Sequence, residues 1–184
     1  MADLKLFGSW ASSYTHRVQL ALKLKGLDFE YIEEDLANKS PSLLLHNPIY
    51  KKVPVLLHRA RPVAESVIIL HYLDETWPDV RPLLPAAPYD RALARFWCHF
   101  ADDKLGPAVG AVFASPSEGQ GAAVEQEVMK VKLVDPEAFP FFHSWLRDFE
   151  EHEEVKEIMP AIDRLLEYAG GVRQMMLSLS NQQQ

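Results

Sequence analysis

Residues 4–35, LKLFGSWASSYTHRVQLALKLKGLDFEYIEED, decide how this chain folds. LKLFG (4–8) is short, apolar and closed by a glycine, which predicts a strand ending in a turn. From Tyr14 to Lys25 the polar His16, Gln19 and Lys23 share one helical face, and Val18, Ala21, Leu22 and Leu24 cover much of the rest. Gly26 stands where a C-terminal cap belongs. DFEYIEED (28–35) alternates again through Phe29 and Tyr31, then Ile32, and predicts a second strand. A helix joining two strands makes them parallel, because only antiparallel neighbours can be joined by a tight turn. The opening segment is therefore βαβ.

Outward from it, ANKSPSLLLHNPIYKK (37–52) is polar and proline-bearing and is expected to be an irregular connection. VPVLLH (53–58) is a third strand entered through proline, ARP (60–62) a turn, and ESVIILHYLDETW (65–77) a helix with His71, Asp74 and Glu75 on its wet face. PDVRPLLPAAP (78–88) holds four prolines, which no helix could run through, and acts as a linker. Beyond it strand signals nearly vanish. YDRALARFWCHFADDKLG (89–106) puts Leu93, Phe96, Trp97 and Phe100 on one helical face, and AFPFFHSWLRDFEEHEEV (138–155) does the same with Phe142, Trp145, Leu146 and Phe149. Such stripes are core by default. MKVKLV (129–134) alternates like a strand, but in helical surroundings it carries little weight. PAIDRLLEYAGGVRQMMLSL (160–179) is a last helix, interrupted or ended near Gly170–Gly171, and SLSNQQQ (178–184) a frayed polar tail. The division expected is an α/β domain over 1–78, a linker over 79–87 and a helical domain over 88–184.

Composition narrows the function. With 184 residues, 48% hydrophobic and 24% charged, the chain is expected to be globular and soluble. A net charge of −7 argues against nucleic acid, whose phosphates call for clustered Lys and Arg. No apolar run is long enough to cross a membrane, and the N-terminus lacks a secretory apolar core. The single cysteine, Cys98, fits a reducing, cytoplasmic compartment and reads as an inert core thiol. No Cys/His group has metal-ligand spacing. A protein acting on small molecules or on partners remains.

Ser12 and Ser13 lie where a strand hands over to a helix. A hydroxyl there caps the helix by accepting from an unpaired N–H, and from spacing alone capping is the commoner use. No GxSxG turn surrounds either serine, so a Ser–His–Asp triad is unsupported. The same helix end, with its open N–H groups and positive dipole, also favours an anion such as a substrate thiolate. Pro54 opening a strand is either an edge device or a rigid turn with a cis bond. A cis bond would leave the backbone N–H and C=O of Val53 free to pair with an extended peptide. Ser66, with Glu65 beside it, starts a helix: a simple cap, or a place for a ligand's carboxylate on the helix end and its ammonium on Glu65. Lys39, Lys51 and Lys52 are ordinary surface charges unless read together with these.

Together, WASSYTHRVQLALKLKGLDFEYIEEDLANKS, NPIYKKVPVLLH, ESVIILHYLDETWP and RALARFWCHFADDK resemble a soluble glutathione transferase, specifically of the plant tau class. The resemblance runs from Leu4 to about Lys104 and resumes from about Val131 to Tyr168. It implies a thioredoxin-like N-terminal domain holding glutathione, an all-α C-terminal domain, a homodimer, and a role in detoxification and stress response. By the same resemblance Ser12 hydrogen-bonds the glutathione sulfur, Lys39 and Lys52 hold the glycyl carboxylate, and Val53 pairs its backbone with the cysteinyl unit before a cis Pro54. Glu65 and Ser66 hold the γ-glutamyl end, and Tyr14 and Phe113 line the electrophile pocket. Glutathione enters as co-substrate, and no metal is implied.

Two departures stand out. The family reads Ser-Pro-aromatic at the helix entrance, whereas this chain has Ser12-Ser13-Tyr14. After GAVFASPSEGQGAAVEQ (110–126) the chain passes almost at once to EVMKVKLVDPEAFP, an internal deletion of roughly 40–45 residues by helix-length arithmetic. Residues 118–134 must then repack, and the two aromatic stripes lose a partner. Two functions follow: a transferase conjugating glutathione to small hydrophobic electrophiles, or a non-catalytic glutathione- and ligand-binding form whose electrophile pocket is truncated.

Overall fold

The computed structural model of the chain describes residues 3–107, 137 and 139–181. Four strands, β1 (Leu4–Gly8), β2 (Glu30–Glu33), β3 (Val55–His58) and β4 (Arg61–Ala64), form one sheet in the order β2-β1-β3-β4. β1 and β2 run parallel, with Gly8 opposite Glu33. β3 is antiparallel to both β1 and β4, so that Phe7 faces Val55 and Val55 faces Ala64. The helices of this part are α1 (Ser13–Leu24), α2 (Pro41–His46) and α3 (Ser66–Thr76).

Alternation along the strands explains the layering. Leu4, Leu6 and Leu56 point to one face, where Val18, Ala21 and Leu22 of α1 and Ile69 and Leu73 of α3 complete a buried cluster. Phe7, Val55 and Leu57 point to the other and meet Leu43 of α2. Each buried aliphatic side chain contributes about 1.5–3 kcal/mol, more than a typical helix cap, so the period-two pattern sets which face each helix covers.

Several expectations need correction. The connection over 37–52 is not wholly irregular: Ser40 accepts from Leu43 N at 3.0 Å and Pro41 supplies the first turn, so α2 forms despite its short length. The reversal after β3 falls at Arg59 and Ala60, both with positive φ, and Arg61–Ala64 is an edge strand that tolerates Pro62. Asp74 is not on a wet face. Its carboxylate meets Lys25 Nζ at 2.9 Å and accepts from Leu83 N and Leu84 N, while the Lys25 side chain is fully buried.

Beyond the linker stand α4 (Pro88–Phe100), continued by a π-helical turn at Ala101–Leu105, α5 (Pro140–Glu151), α6 (Glu153–Lys156) and α7 (Ile162–Asn181). α7 runs unbroken through Gly170 and Gly171. Each glycine costs about 1 kcal/mol against alanine, which weakens a helix of this length without ending it. The chain divides into two compact units, Met1–Arg91 with Glu153–Met159, and Ala92–His152 with Pro160–Gln184. The return of α6 to the first unit buries Val155 and pairs Glu157 with Lys23 and Glu154 with Arg81.

In the second unit the aromatic stripes are not core. Trp97 packs edge-on against Phe96 and Phe100, and Phe142, Trp145 and Phe149 stack in series, yet Trp97 is 59% exposed and Trp145 55%. Cys98 is half-buried and not a core thiol. Phe113, the MKVKLV segment and the proposed repacking over 118–134 lie outside the described residues. Among those described, no helix is long and apolar enough to cross a membrane, and no group of three His, Cys, Asp or Glu could hold a metal.

Candidate functional site

The strand register gathers the candidate residues at one edge of the sheet. The C-terminal end of β1 leads to Ser12 and that of β2 to the Lys39 loop. The N-terminal end of β3 follows Val53, and the C-terminal end of β4 leads to Glu65. Four segments far apart in sequence thus meet on the same side of the first unit.

Ser12 is the N-cap of α1. Its Oγ accepts from Thr15 N at 3.2 Å, its N–H donates to Ser9 O at 2.9 Å, and its C=O accepts from His16 N at 3.0 Å. A hydroxyl has one hydrogen and two lone pairs, so the cap takes a lone pair and leaves the O–H for another acceptor. The loop before it is anchored at three further points. Ser9 N donates to Thr15 Oγ1, Trp10 N to Glu33 Oε1 at 3.1 Å, and His16 Nε2 to the Trp10 carbonyl at 2.8 Å. Burial holds the His16 pKa below the ordinary histidine value, against the pull of the Trp10 carbonyl and of Glu33. Tyr31 donates to Glu33 Oε2, and burial followed by that bond and charge pushes its phenol well above the ordinary range. Gly8 is required here: a Cβ would run into Thr15 Cγ2 and lie 2.8 Å from the Tyr31 ring.

Ser13 is the exposed first residue of α1. Tyr14 is exposed, and the Arg17 guanidinium lies 5.2 Å from its ring centroid. The same guanidinium donates from Nη1 to Ser66 Oγ at 3.1 Å. Ser66 is buried and is the first residue of α3, not its cap; Glu65 holds the cap position without a side-chain cap bond. Glu65 has φ 72° and ψ 118°, a conformation that costs a non-glycine residue about 1–3 kcal/mol and that collects at functional sites.

The Val53–Pro54 bond is cis and Val53 is half-buried. Lys52 is exposed, with its carbonyl accepting from the buried Asn47 at 3.0 Å. Lys39 is half-buried and immediately precedes Ser40, which is tied to the buried Glu34. Arg17, Glu33, Glu34 and Asn47 were missed in the sequence. Arg17 carried one legible signal, its position one turn after Tyr14 on the same side of the helix. The others carried none: Glu33 meets its partner Trp10 only through the tertiary fold, and Glu34 and Asn47 bond to near neighbours in irregular turns that no periodicity announces. Chemically, the site offers two helix N-termini that favour anions, an available serine O–H, and an acidic side chain for an ammonium.

The chain matches the model of the glutathione S-transferase N-terminal domain over residues 2–75. It is 38% identical to glutathione transferase GST 23 of Zea mays, with 95% of this chain and 97% of that one covered. That alignment takes 216 positions, more than the 184 residues here, so a stretch of the maize protein has no counterpart in this chain. Among solved structures it is similar to the tau-class glutathione S-transferase of mango, Mangifera indica, with TM-score 0.81, 31% identity, and 91% of this chain and 97% of that one covered. It is equally similar to rice GST1 in complex with glutathione, with TM-score 0.81, 30% identity, and 95% and 97% covered.

Proposed function

Because the chain belongs to the tau class of plant glutathione S-transferases, we propose that it conjugates reduced glutathione to small hydrophobic electrophiles, with the thiolate held by Ser12. In this reading the Ser12 O–H donates to the sulfur while the Ser12 Oγ continues to cap α1. The N-terminus of α1 adds its positive end. A free thiol titrates near ~8.5, and each unit of lowering corresponds to about 1.4 kcal/mol of preference for the thiolate. One charge-assisted hydrogen bond plus a helix terminus supplies roughly one to two units. The thiol proton leaves to solvent, the sulfur bonds to the electrophilic carbon, and the leaving group, such as chloride from a chloronitroarene, departs with its electron pair.

The rest of glutathione follows the site's polarity. Lys39 and Lys52 take the glycyl carboxylate, the Val53 backbone pairs with the cysteinyl unit, and Glu65 and Ser66 take the γ-glutamyl ammonium and carboxylate. Tyr14 and Phe113 contribute to the electrophile pocket. The protein acts as a cytoplasmic homodimer in detoxification and stress response. The observation that carries the reading is the Ser12 geometry, a cap bond that leaves the hydroxyl hydrogen available at a helix N-terminus. Conjugation of 1-chloro-2,4-dinitrobenzene tests it: turnover should fall at least about a hundredfold in Ser12→Ala, and unchanged turnover would sink it.

A second reading rests on the exposed aromatic faces of α4 and α5 and on the stretch of the maize relative without a counterpart here. It is a glutathione- and ligand-binding protein without turnover. Glutathione raising the Tm of a chain that conjugates nothing would select it.

A further inference from the structure

Lys39 is placed by a side chain five residues before it. Glu34 follows β2, is 2% exposed, and its backbone N–H donates to Gly8 O at 2.8 Å. Its carboxylate accepts twice from one residue, from Ser40 N at 3.0 Å and from Ser40 Oγ at 2.6 Å. A carboxylate is costly to bury, and this one is held by short charge-assisted bonds. The Ser40 N–H belongs to the same peptide unit as the Lys39 carbonyl, and a peptide unit is planar. Fixing that N–H therefore fixes the Cα of Lys39 as well.

We propose that Glu34 is a positioning residue for glutathione binding, setting the distance from the Lys39 ammonium to the end of β1 from which the Ser12 loop departs. The inference rests on the reading of Lys39 as a partner of the glycyl carboxylate. Neighbouring carboxylates then serve the thiol and the glycyl carboxylate of one ligand: Glu33 anchors the Ser12 loop through Trp10 N, and Glu34 anchors the Lys39 loop through Ser40. Glutamine in place of Glu34 keeps one acceptor for the Ser40 N–H but turns an N–H2 toward Ser40 Oγ, so the hydroxyl bond must reverse its direction and both bonds lose their charge assistance. The Lys39 ammonium then moves relative to the thiol site, and only ligands with a glycyl carboxylate are affected.

Calorimetric titration of the full chain with glutathione and with γ-glutamylcysteine, which lacks the glycine, reads this without requiring turnover. The ratio of the two Kd values is independent of how much protein is folded. In wild type glutathione is expected to bind more tightly, and Lys39→Ala to remove about tenfold of that preference. Glu34→Gln is expected to remove about fivefold while changing the γ-glutamylcysteine Kd less than about twofold. Ser40→Ala, which keeps the carboxylate and deletes one of its donors, should shift the ratio in the same direction and carries the test if Glu34→Gln does not fold. A ratio unchanged in both variants while Lys39→Ala lowers it overturns the role of Glu34. A ratio unchanged in Lys39→Ala overturns the carboxylate reading beneath it. Equal weakening of both ligands would leave Glu34 a purely structural support for Ser40, the cap of α2, and would also overturn the inference.

Discussion

Arg17 Nη1 donates to Ser66 Oγ at 3.1 Å, joining α1 to the first residue of α3 across 49 positions of sequence. Since the Ser66 hydroxyl accepts there, its hydrogen is left for another acceptor, such as the proposed γ-glutamyl carboxylate. Arg17→Ala frees that hydroxyl to rotate and is expected to raise the KM for glutathione about tenfold with a smaller change in kcat. Arg17→Lys should recover little, because an ammonium cannot both reach Ser66 and lie flat over Tyr14. Steady-state kinetics against glutathione decide this; a fall in kcat alone would contradict it.

Capping and chemistry at Ser12 can be separated. Aspartate is as good an N-cap as serine but offers no hydrogen to a thiolate and repels it. Ser12→Asp should keep the wild-type Tm yet abolish conjugation, whereas Ser12→Ala should lose both the chemistry and about 1 kcal/mol of stability. Wild-type activity in either variant would mean that the hydroxyl hydrogen is unused.

Glu65 trades stability for its position. Glycine is at ease at φ 72°, so Glu65→Gly should stabilise the chain by about 1 kcal/mol while weakening glutathione binding. Paired denaturation and titration measurements check both directions. A variant that is less stable and binds as tightly would show that the side chain serves packing alone.

Acid stability should fall in two stages. Burial first, opposed by the Trp10 carbonyl and Glu33, leaves the His16 pKa below 6.5. A lowered folded value contributes stability that is complete above 6.5 and declines as pH falls toward the folded value. Asp74 follows the same sign lower down. Burial alone would raise its pKa, but hydrogen bonds from Leu83, Lys25 and Leu84 and the charge of Lys25 outweigh it, so its share is complete above 3.8 and lost below. His16→Gln should remove the first decline only. Asp74→Ala leaves Lys25 buried without its countercharge and should cost about 3 kcal/mol at neutral pH. Melting curves from pH 3 to 8 give both; a single acid transition unaffected by His16→Gln would contradict the assignment.

The local elements were legible where a pattern lies within a few residues. The βαβ opening, the strand at Val55–His58 and the Ser12 cap position follow from periodicity, glycine and proline, which act over one or two turns. The edge strand at Arg61–Ala64 was hidden because its hydrogen bonds come from a neighbour and Pro62 argued against it. The continuous α7 was hidden because two glycines weaken a helix without deciding its end. The aromatic stripes on α4 and α5 announced helices correctly, but amphipathicity states only that a face is apolar, not that anything covers it.

By itself, then, the sequence determined which residue types stand at helix starts and strand ends, and through its resemblance the family to which the chain belongs. Only the tertiary structure decided which of them act together. The pairing of β1 with β2, and of β3 with β1 and β4, carries Ser12, Lys39, Val53 and Glu65 to one end of the sheet, and long-range bonds from Arg17 and Glu33, with the nearer one from Glu34, fix the segments there. The reason is physical: a cap or a turn is a contact between near neighbours, whereas a binding site is a set of distances between segments, and those exist only once the sheet has closed.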